Sequence, residues 1–273
     1  MNTLEVERFE RRFGGLRRLY GVSGAQRIFD AHVVVVGLGG VGSWAAEALA
    51  RSGVRRLTLI DMDHVAESNL NRQVQATEAS IGQAKGEALR ERFLGIHPDL
   101  DIELIDDFVT PENWPALLAG RRPDGVIDAC DQVRAKTALA AWAQAERVPL
   151  VSVGAAGGKR RAEAMQIADL AEVTHDPLLA QLRYRLRKQH GAARQGRMGT
   201  LCVFSREAVA PPDASCGLDA SDGSLNCHGY GSVVAVTASF GFAAAGCLMD
   251  TLVQTNFEKV EASFKTPKKH ATI

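Results

Sequence analysis

The sequence predicts an α/β protein built on a doubly wound, Rossmann-like, mostly parallel sheet, and two observations carry that expectation. Short apolar runs at 32–36, 57–60, 102–105, 125–127 and 150–153 alternate with segments of helix-forming composition at 43–52, 85–96, 110–119 and 133–146. Strands buried on both faces read as continuous apolar runs, and strands alternating with helices join through right-handed crossovers into a parallel sheet. The second observation is Gly37-Leu38-Gly39-Gly40-Val41-Gly42, a G-x-G-x-x-G that directly follows the first apolar run and opens the first helix.

Around this core the 273 residues and 29.3 kDa are expected to form one domain with four parts. Residues 1–30, rich in Arg and Phe, read as an N-terminal arm of one or two short helices. Residues 31–158 are the regular core, where Thr110-Pro111 is a helix start signal. Residues 159–231 hold a basic segment with a helix over 177–190, a strand over 202–205, and a mobile loop over 211–231 rich in Pro, Gly, Ser and Asp. Residues 232–273 give an apolar helix from Val233 and a frayed tail at Lys268-Lys269. No internal repeat is present in the sequence.

Composition removes several function classes. Lys plus Arg equals Asp plus Glu at 32 each, so net charge favours no partner and only local charge is informative. The start, Met1-Asn2-Thr3-Leu4-Glu5, lacks the basic and apolar regions of a secretion signal, and a cytoplasmic protein is expected. Cys130, Cys202, Cys216, Cys227 and Cys247 form an odd set without a C-x-x-C pair, against both a disulfide framework and a four-thiolate zinc site. The uncharged run 232–249 is diluted by Gly, Ala, Ser and Thr and ends at Asp250. A buried helix is the favoured reading, with peripheral or single-span membrane association left open.

The glycine turn predicts a nucleotide site. Gly37, Gly39 and Gly42 supply the sharp turn and the close backbone approach that phosphate oxygens require, with Gly40 between them, and the following helix aims its N–H groups and positive dipole end at the anion. Asp61 closes the second apolar run, 24 positions after Gly37, where a carboxylate accepts hydrogen bonds from ribose hydroxyls. A hydride-transfer enzyme would share all of this. It would have no use for the groups that follow: Asp63, the stretch Asn69-Leu70-Asn71-Arg72-Gln73, Lys85, and Asp131 after the fourth run. Attack of a carboxylate on the α-phosphate of ATP gathers negative charge that Arg72 and Lys85 would offset, while Asp131 suits Mg²⁺, which takes few protein carboxylates. Singly, each of these residues also reads as a surface charge or a helix cap; their joint placement after successive strands is the argument.

Gly37 through Ser43, Leu59-Ile60-Asp61-Met62-Asp63, Asn69 through Gln73, Gly82-Gln83-Ala84-Lys85 and Asp128 through Asp131 resemble the ordered blocks of the E1-like activating enzymes over about residues 8–158. Within that family the chain resembles the branch that dehydrates threonylcarbamoyladenosine in tRNA. Arg12-Phe13-Gly14-Gly15, Arg18-Leu19-Tyr20-Gly21, the stretch 106–111, Cys202-Val203-Phe204-Ser205 and Phe240-Gly241-Phe242 carry this second likeness. The resemblance implies ATP-dependent activation of the threonyl carboxylate at position 37, then ring closure with loss of water. It further implies Asp61 on the ribose, Asn69, Arg72 and Lys85 on phosphates with Gln73 in support, Mg²⁺ on Asp131, and no zinc. A homodimer is implied too, in which Arg18, or else Arg12, reaches the ATP of the second copy; an ion pair within one subunit is the alternative for either. A monovalent cation site and sulfur-transfer partners, such as a cysteine desulfurase or its acceptor protein, are left open.

The tRNA footprint is expected on Arg183, Arg185, Arg187, Lys188, Arg194 and Arg197, fifteen residues without Asp or Glu, together with Lys159, Arg160 and Arg161. A solvated helical face is the plain alternative, since Tyr184 and Tyr230 are the only aromatics nearby to stack bases. Two further functions stay open at this level. One is adenylation of the C-terminal glycine of a ubiquitin-like sulfur carrier. The other is a non-catalytic nucleotide-binding partner in a sulfur relay. Cys202, Cys216 and Cys227 read as structural thiols, because ring closure within one substrate needs no protein nucleophile.

Overall fold

In a computed structural model, residues 3–213, 215 and 230–254 are described. Most of the expected loop over 211–231, with Cys216 and Cys227, and the tail with Lys268-Lys269 lie outside the described residues. The N-terminal arm is two helices, α1 (Thr3–Phe13) and α2 (Gly15–Asp30), the second kinked at Gly21, whose φ of 72° no helix accommodates. The core then runs β1 (His32–Val36), α3 (Gly42–Arg51), β2 (Arg56–Ile60), α4 (Lys85–Ile96), β3 (Asp101–Ile105), β4 (Gly125–Asp128), α5 (Val133–Glu146) and β5 (Leu150–Val153). After it come β6 (Met165–Asp169), α6 (Pro177–Gln189), β7 (Leu201–Ser205) and α7 (Val234–Val253).

Seven strands form one sheet in the order β3-β2-β1-β4-β5-β7-β6, parallel throughout except for the β6–β7 pair. The expected doubly wound, mostly parallel sheet is what the chain forms. Val36 pairs with Ile60 on one side and Asp128 on the other, and Asp128 pairs with Ser152, so β1, β2, β4 and β5 end at one level. Strand order reverses direction at β1, which opens a crevice between the loops leaving β1 and β4, the place where such sheets bind ligands.

Two elements differ from expectation. Residues 110–119 form turns and one short 3₁₀ segment, Ala116–Leu118, instead of an α-helix. The Thr110 and Asn113 side chains bond each other's backbone N–H, and Pro115 has no N–H with which to continue a helix. β6 was not anticipated: four of its five residues are half-buried and the fifth is the buried Asp169, so it shows no apolar run like those of the core strands.

α7 is long and apolar enough to cross a membrane by length and composition. Here Val236, Phe240, Ala244, Ala245, Cys247 and Leu248 are buried in the main core with α3 and the sheet. Its approach to α3 is backbone to backbone: a Cβ on Gly241 would stand 2.5 Å from Val41 O and 2.8 Å from Ala45 N. Gly241→Ala is expected to cost about 1–3 kcal/mol by overpacking, lowering the melting temperature by on the order of 5 °C in thermal unfolding. An unchanged melting temperature would mean that the α3–α7 contact yields freely.

Candidate active site

The glycine turn is held by contacts that only a missing Cβ permits. Gly37 adopts φ +84°, and a Cβ there would lie 3.0 Å from the Ala129 carbonyl and from Cys130 Cα. At Gly42 a Cβ would collide with Gly37 O, so the first turn of α3 folds directly onto the end of β1. Gly39 has open space where its Cβ would be, which leaves that stretch of backbone accessible to a ligand. α3 starts without a side-chain cap, and its leading N–H groups therefore suit an anion.

Asp61, just past β2, braces this turn. Its Oδ2 accepts the Leu38 N–H at 2.6 Å and its Oδ1 the Asp63 N–H at 2.8 Å. Burial pushes the carboxyl above its usual range against the opposing pull of Lys85, 4.0 Å away. Lys85, the first residue of α4, is buried and holds Asp63 at 2.7 Å. Arg72, also buried, donates to Ser68 O and to Asn71 Oδ1 at 2.9 Å; its Cγ would stand 3.2 Å from a Cβ on Gly40. Asn69 shapes the turn beneath it: its side chain accepts the Ala66 N–H, and its carbonyl accepts from Arg72 and Gln73. The structure therefore brings Asp61, Asp63, Asn69, Arg72, Gln73 and Lys85 together around the glycine turn.

Sequence reasoning missed two braces of the same turn. Gln75 donates from Nε2 to Leu38 O at 2.9 Å and to Gln73 Oε1 at 3.1 Å, while its own buried Oε1 has no hydrogen-bond partner among the described residues. Trp44 Nε1 donates to Arg72 O at 2.9 Å, which fixes the arginine's backbone from α3. A lone Gln or Trp carries no motif by which either could have been found.

The floor between β4 and β5 holds a fully buried ion pair that was also missed. Lys136 of α5 sits 3.0 Å from Asp128 Oδ1 and donates to Val153 O at 2.8 Å and to Asp128 O at 3.2 Å. Ser152 Oγ donates to Asp128 Oδ2 at 2.7 Å, and the Cys130 thiol donates to Oδ1. Burial pulls the Lys136 ammonium down most strongly, but the Asp128 charge and hydrogen bond together with the Cys130 and Cys202 thiols outweigh it, and the net shift is upward. Burial, then Asp128, pushes the Cys130 thiol well up, and burial does the same to Cys202, which is inaccessible and not a nucleophile in this state. Asp131, three residues past Asp128, stands exposed at the crevice end of β4.

The basic segment is smaller at the surface than the sequence suggests. Lys159 is not part of it: its side chain is buried, 3.5 Å from Asp176 Oδ2 and 5.9 Å from the Phe240 ring centroid. Gly158, at φ +69° and tied by its N–H to Gly231 O and by its O to Ala210 N–H, turns the chain so that the next side chain points inward. Burial lowers the Lys159 ammonium, with Asp176 opposing. Arg183 is a brace, its guanidinium bonded to Leu170 O and Val173 O, and Arg187 donates to Ala193 O. Arg185 is half-buried, whereas Arg160, Arg161, Lys188, Arg194 and Arg197 are exposed. Lys188 lies 5.5 Å over the exposed Tyr184 ring. Arg12 and Arg18 are exposed on α1 and α2, and among the described residues neither is in an ion pair of 4.0 Å or less.

Cations buried around an uncapped helix start, with an acid past the neighbouring strand, define a nucleotide-binding α/β protein of the E1-like class. Residues 12–269 match the ThiF family, and the chain belongs to it. It is 44% identical over 253 residues to the tRNA threonylcarbamoyladenosine dehydratase of Escherichia coli K12, covering 89% of this chain and 94% of that protein. It is 38% identical over 148 residues to the molybdopterin-synthase adenylyltransferase of the same organism, covering 54% of this chain and 58% of that one. The structure of the E. coli dehydratase in complex with ATP superimposes with a TM-score of 0.79 at 40% identity, over 94% of this chain and 97% of that one.

Lys136→Met leaves the Asp128 carboxylate buried without its counter-charge, a change expected to cost about 3–5 kcal/mol. Adding Asp128→Asn should recover part of that loss in denaturant unfolding. Equal stability of the single and double variants would show that the unpaired Asp128 carboxylate carries no such cost.

Proposed function

We propose that this chain uses ATP to dehydrate threonylcarbamoyladenosine at position 37 of tRNA to its cyclic form. The observation that carries the reading is how much of each chain the likenesses cover. The match to the sulfur-carrier type of adenylyltransferase covers 54% of the chain, whereas the match to the dehydratase covers 89% of it and 94% of the E. coli protein.

The residues around the glycine turn support a two-step chemistry. In this reading Asp61 would hold the ribose, and the Gly39-Gly40 backbone, Asn69, Arg72 and Lys85 would contact the phosphates, with Gln73 in support. A threonyl carboxylate oxygen attacks the α-phosphorus and pyrophosphate leaves with the bonding electrons. Arg72 and Lys85 offset the charge that gathers there, and because both are buried their field is little screened by water. A nucleophile within the same side chain then attacks the acyl carbon and loses its proton, and AMP departs with the carboxyl oxygen. The substrate is lighter by one water.

Among the described residues no group of three or more His, Cys, Asp or Glu could hold a metal. Mg²⁺ needs no such group, since it takes one or two carboxylates and fills its octahedron with phosphate oxygen and water. Asp131, exposed at the crevice, fits that demand, and the ion would supply further charge neutralisation on the phosphates. The absence of an intrasubunit ion pair on Arg18 and Arg12 among the described residues supports a homodimer in which one of them serves the second copy's ATP, Arg18 first.

The test is incubation with ATP, Mg²⁺ and tRNA bearing the modified nucleoside, followed by measurement of AMP and nucleoside mass. No loss of water from tRNA that the E. coli relative dehydrates would overturn the reading, and pyrophosphate exchange that requires a small carrier protein would replace it. Asp131→Ala should lower adenylation by at least about a hundredfold with an unchanged melting temperature. For the footprint, Arg194→Glu should weaken tRNA binding and reduce the salt slope by about one. Lys159→Met, which removes a charge that is not at the surface, should leave that slope as it is; a drop for this variant would reverse its assignment to the interior.

A further inference from the structure

Asn71 stands exposed between two groups of opposite hydrogen-bonding character. Its Oδ1 accepts from Arg72 Nη1 at 2.9 Å, and its Nδ2 donates to Ser232 O at 2.9 Å. A guanidinium only donates and a carbonyl only accepts, so these neighbours fix which way the amide faces. They also constrain the residue type. A carboxylate here would turn lone pairs towards Ser232 O, and an ammonium would turn protons towards Arg72, whereas an amide on a short stem carries one donor group and one acceptor.

Ser232 is itself a fixed point. The preceding Gly231 O accepts the Gly158 N–H at 2.9 Å, and the following Val233 O accepts the N–H groups of Val236 and Thr237 at 3.1 and 3.2 Å as α7 begins. Thr237 then returns to the same place. Its Oγ1 lies 3.5 Å from Arg72 O, and its Cγ2 would stand 3.1 Å from a Cβ on Gly40, with Arg72 Cγ on the same spot at 3.2 Å. The start of α7, the glycine turn and the backbone of Arg72 therefore meet as one unit, and Asn71 ties the charged end of Arg72 to it. Among the described residues the guanidinium's hydrogen bonds run through Nη1, to Asn71 Oδ1 and Ser68 O. Nε and Nη2 are left for a phosphate, so a nucleotide can bind without displacing either brace.

We propose that Asn71 is a positioning residue for adenylation: anchored on Ser232 at the start of α7, it holds the Arg72 guanidinium in the orientation that meets the nucleotide phosphates. The proposal rests on the phosphate role of Arg72 in the dehydratase reading and extends it to a residue that acts through Arg72 alone. Arginine is rich in rotamers, and a guanidinium oriented before the ligand arrives loses less freedom on binding.

The experiment titrates the intact protein with ATP and with adenosine, which has no phosphates, by calorimetry. Asn71→Leu, similar in shape but with neither donor nor acceptor, should weaken ATP binding about tenfold. Adenosine binding and the melting temperature should stay as in the parent. In an Arg72→Met background the same change should have no further effect on ATP, because the group it orients is gone. Unchanged ATP affinity in Asn71→Leu overturns the proposal. So does an equal loss for adenosine, which marks a structural role, or a loss that persists in full on Arg72→Met. Unchanged ATP affinity in Arg72→Met itself removes the phosphate role of that arginine and the proposal with it. If the parent forms no AMP with the modified tRNA, the dehydratase reading fails, while the two titrations still decide the role of Asn71.

Discussion

The close packing of Gly42 on the carbonyl of Gly37 is the constraint from which the site follows. With no Cβ at residue 42, α3 starts directly against the end of β1, and with Gly37 left-handed the chain clears the loop leaving β4. The start of α3 is thereby fixed at the point where strand order reverses, aimed into the crevice. α7 reinforces this from behind through Gly241, and Trp44 ties α3 to the backbone of Arg72. A bulkier residue at any of these glycines would move the helix start rather than a peripheral loop, because backbone atoms and not flexible side chains fill the space.

Charge at the site is organised by the same logic. Lys85 is held by Asp63 and Asp61, Arg72 by a carbonyl and a side-chain amide, Lys136 by Asp128, and each of these cations is buried. Buried charges without partners cost several kcal/mol each, so these pairings are what allow the cations to stay buried. Charges already oriented need little reorganisation when negative charge develops. Asp131 and the Gly39 backbone stay open at the rim, where a ligand and its ion would enter.

The parts legible in the sequence were those with local pattern. Five of the seven strands were visible as apolar runs before residue 154, and the glycine turn, Asp61, Arg72 and Lys85 stood in recognisable spacing. What failed depended on three-dimensional partners. Lys159 looked like one more surface cation beside Arg160 and Arg161, and only the turn at Gly158 and the Asp176 carboxylate explain why it faces inward. Arg183 belongs to a basic run in sequence yet spends its guanidinium on two carbonyls. The Asp128–Lys136 pair had no signal, since an eight-residue separation across a strand and a helix matches no motif. The 110–119 segment shows the opposite error, a helix start signal overruled by a proline five residues into the segment.

The thiols bear on how the activated carboxylate would be resolved. Enzymes that pass an acyl group to a cysteine need an accessible thiolate beside the adenylate. Cys202 lies inaccessible in β7 with its thiol pushed well up by burial, and Cys130 is a hydrogen-bond donor to Asp128, also pushed up. Neither has the electropositive, open setting that lowers a thiol into its reactive form. A nucleophile already tethered to the activated carboxyl needs no such help, because its effective concentration exceeds what a separate group reaches in solution by orders of magnitude. The proposed ring closure therefore asks the protein for little beyond charge to offset the adenylate, the role proposed for the buried Arg72 and Lys85.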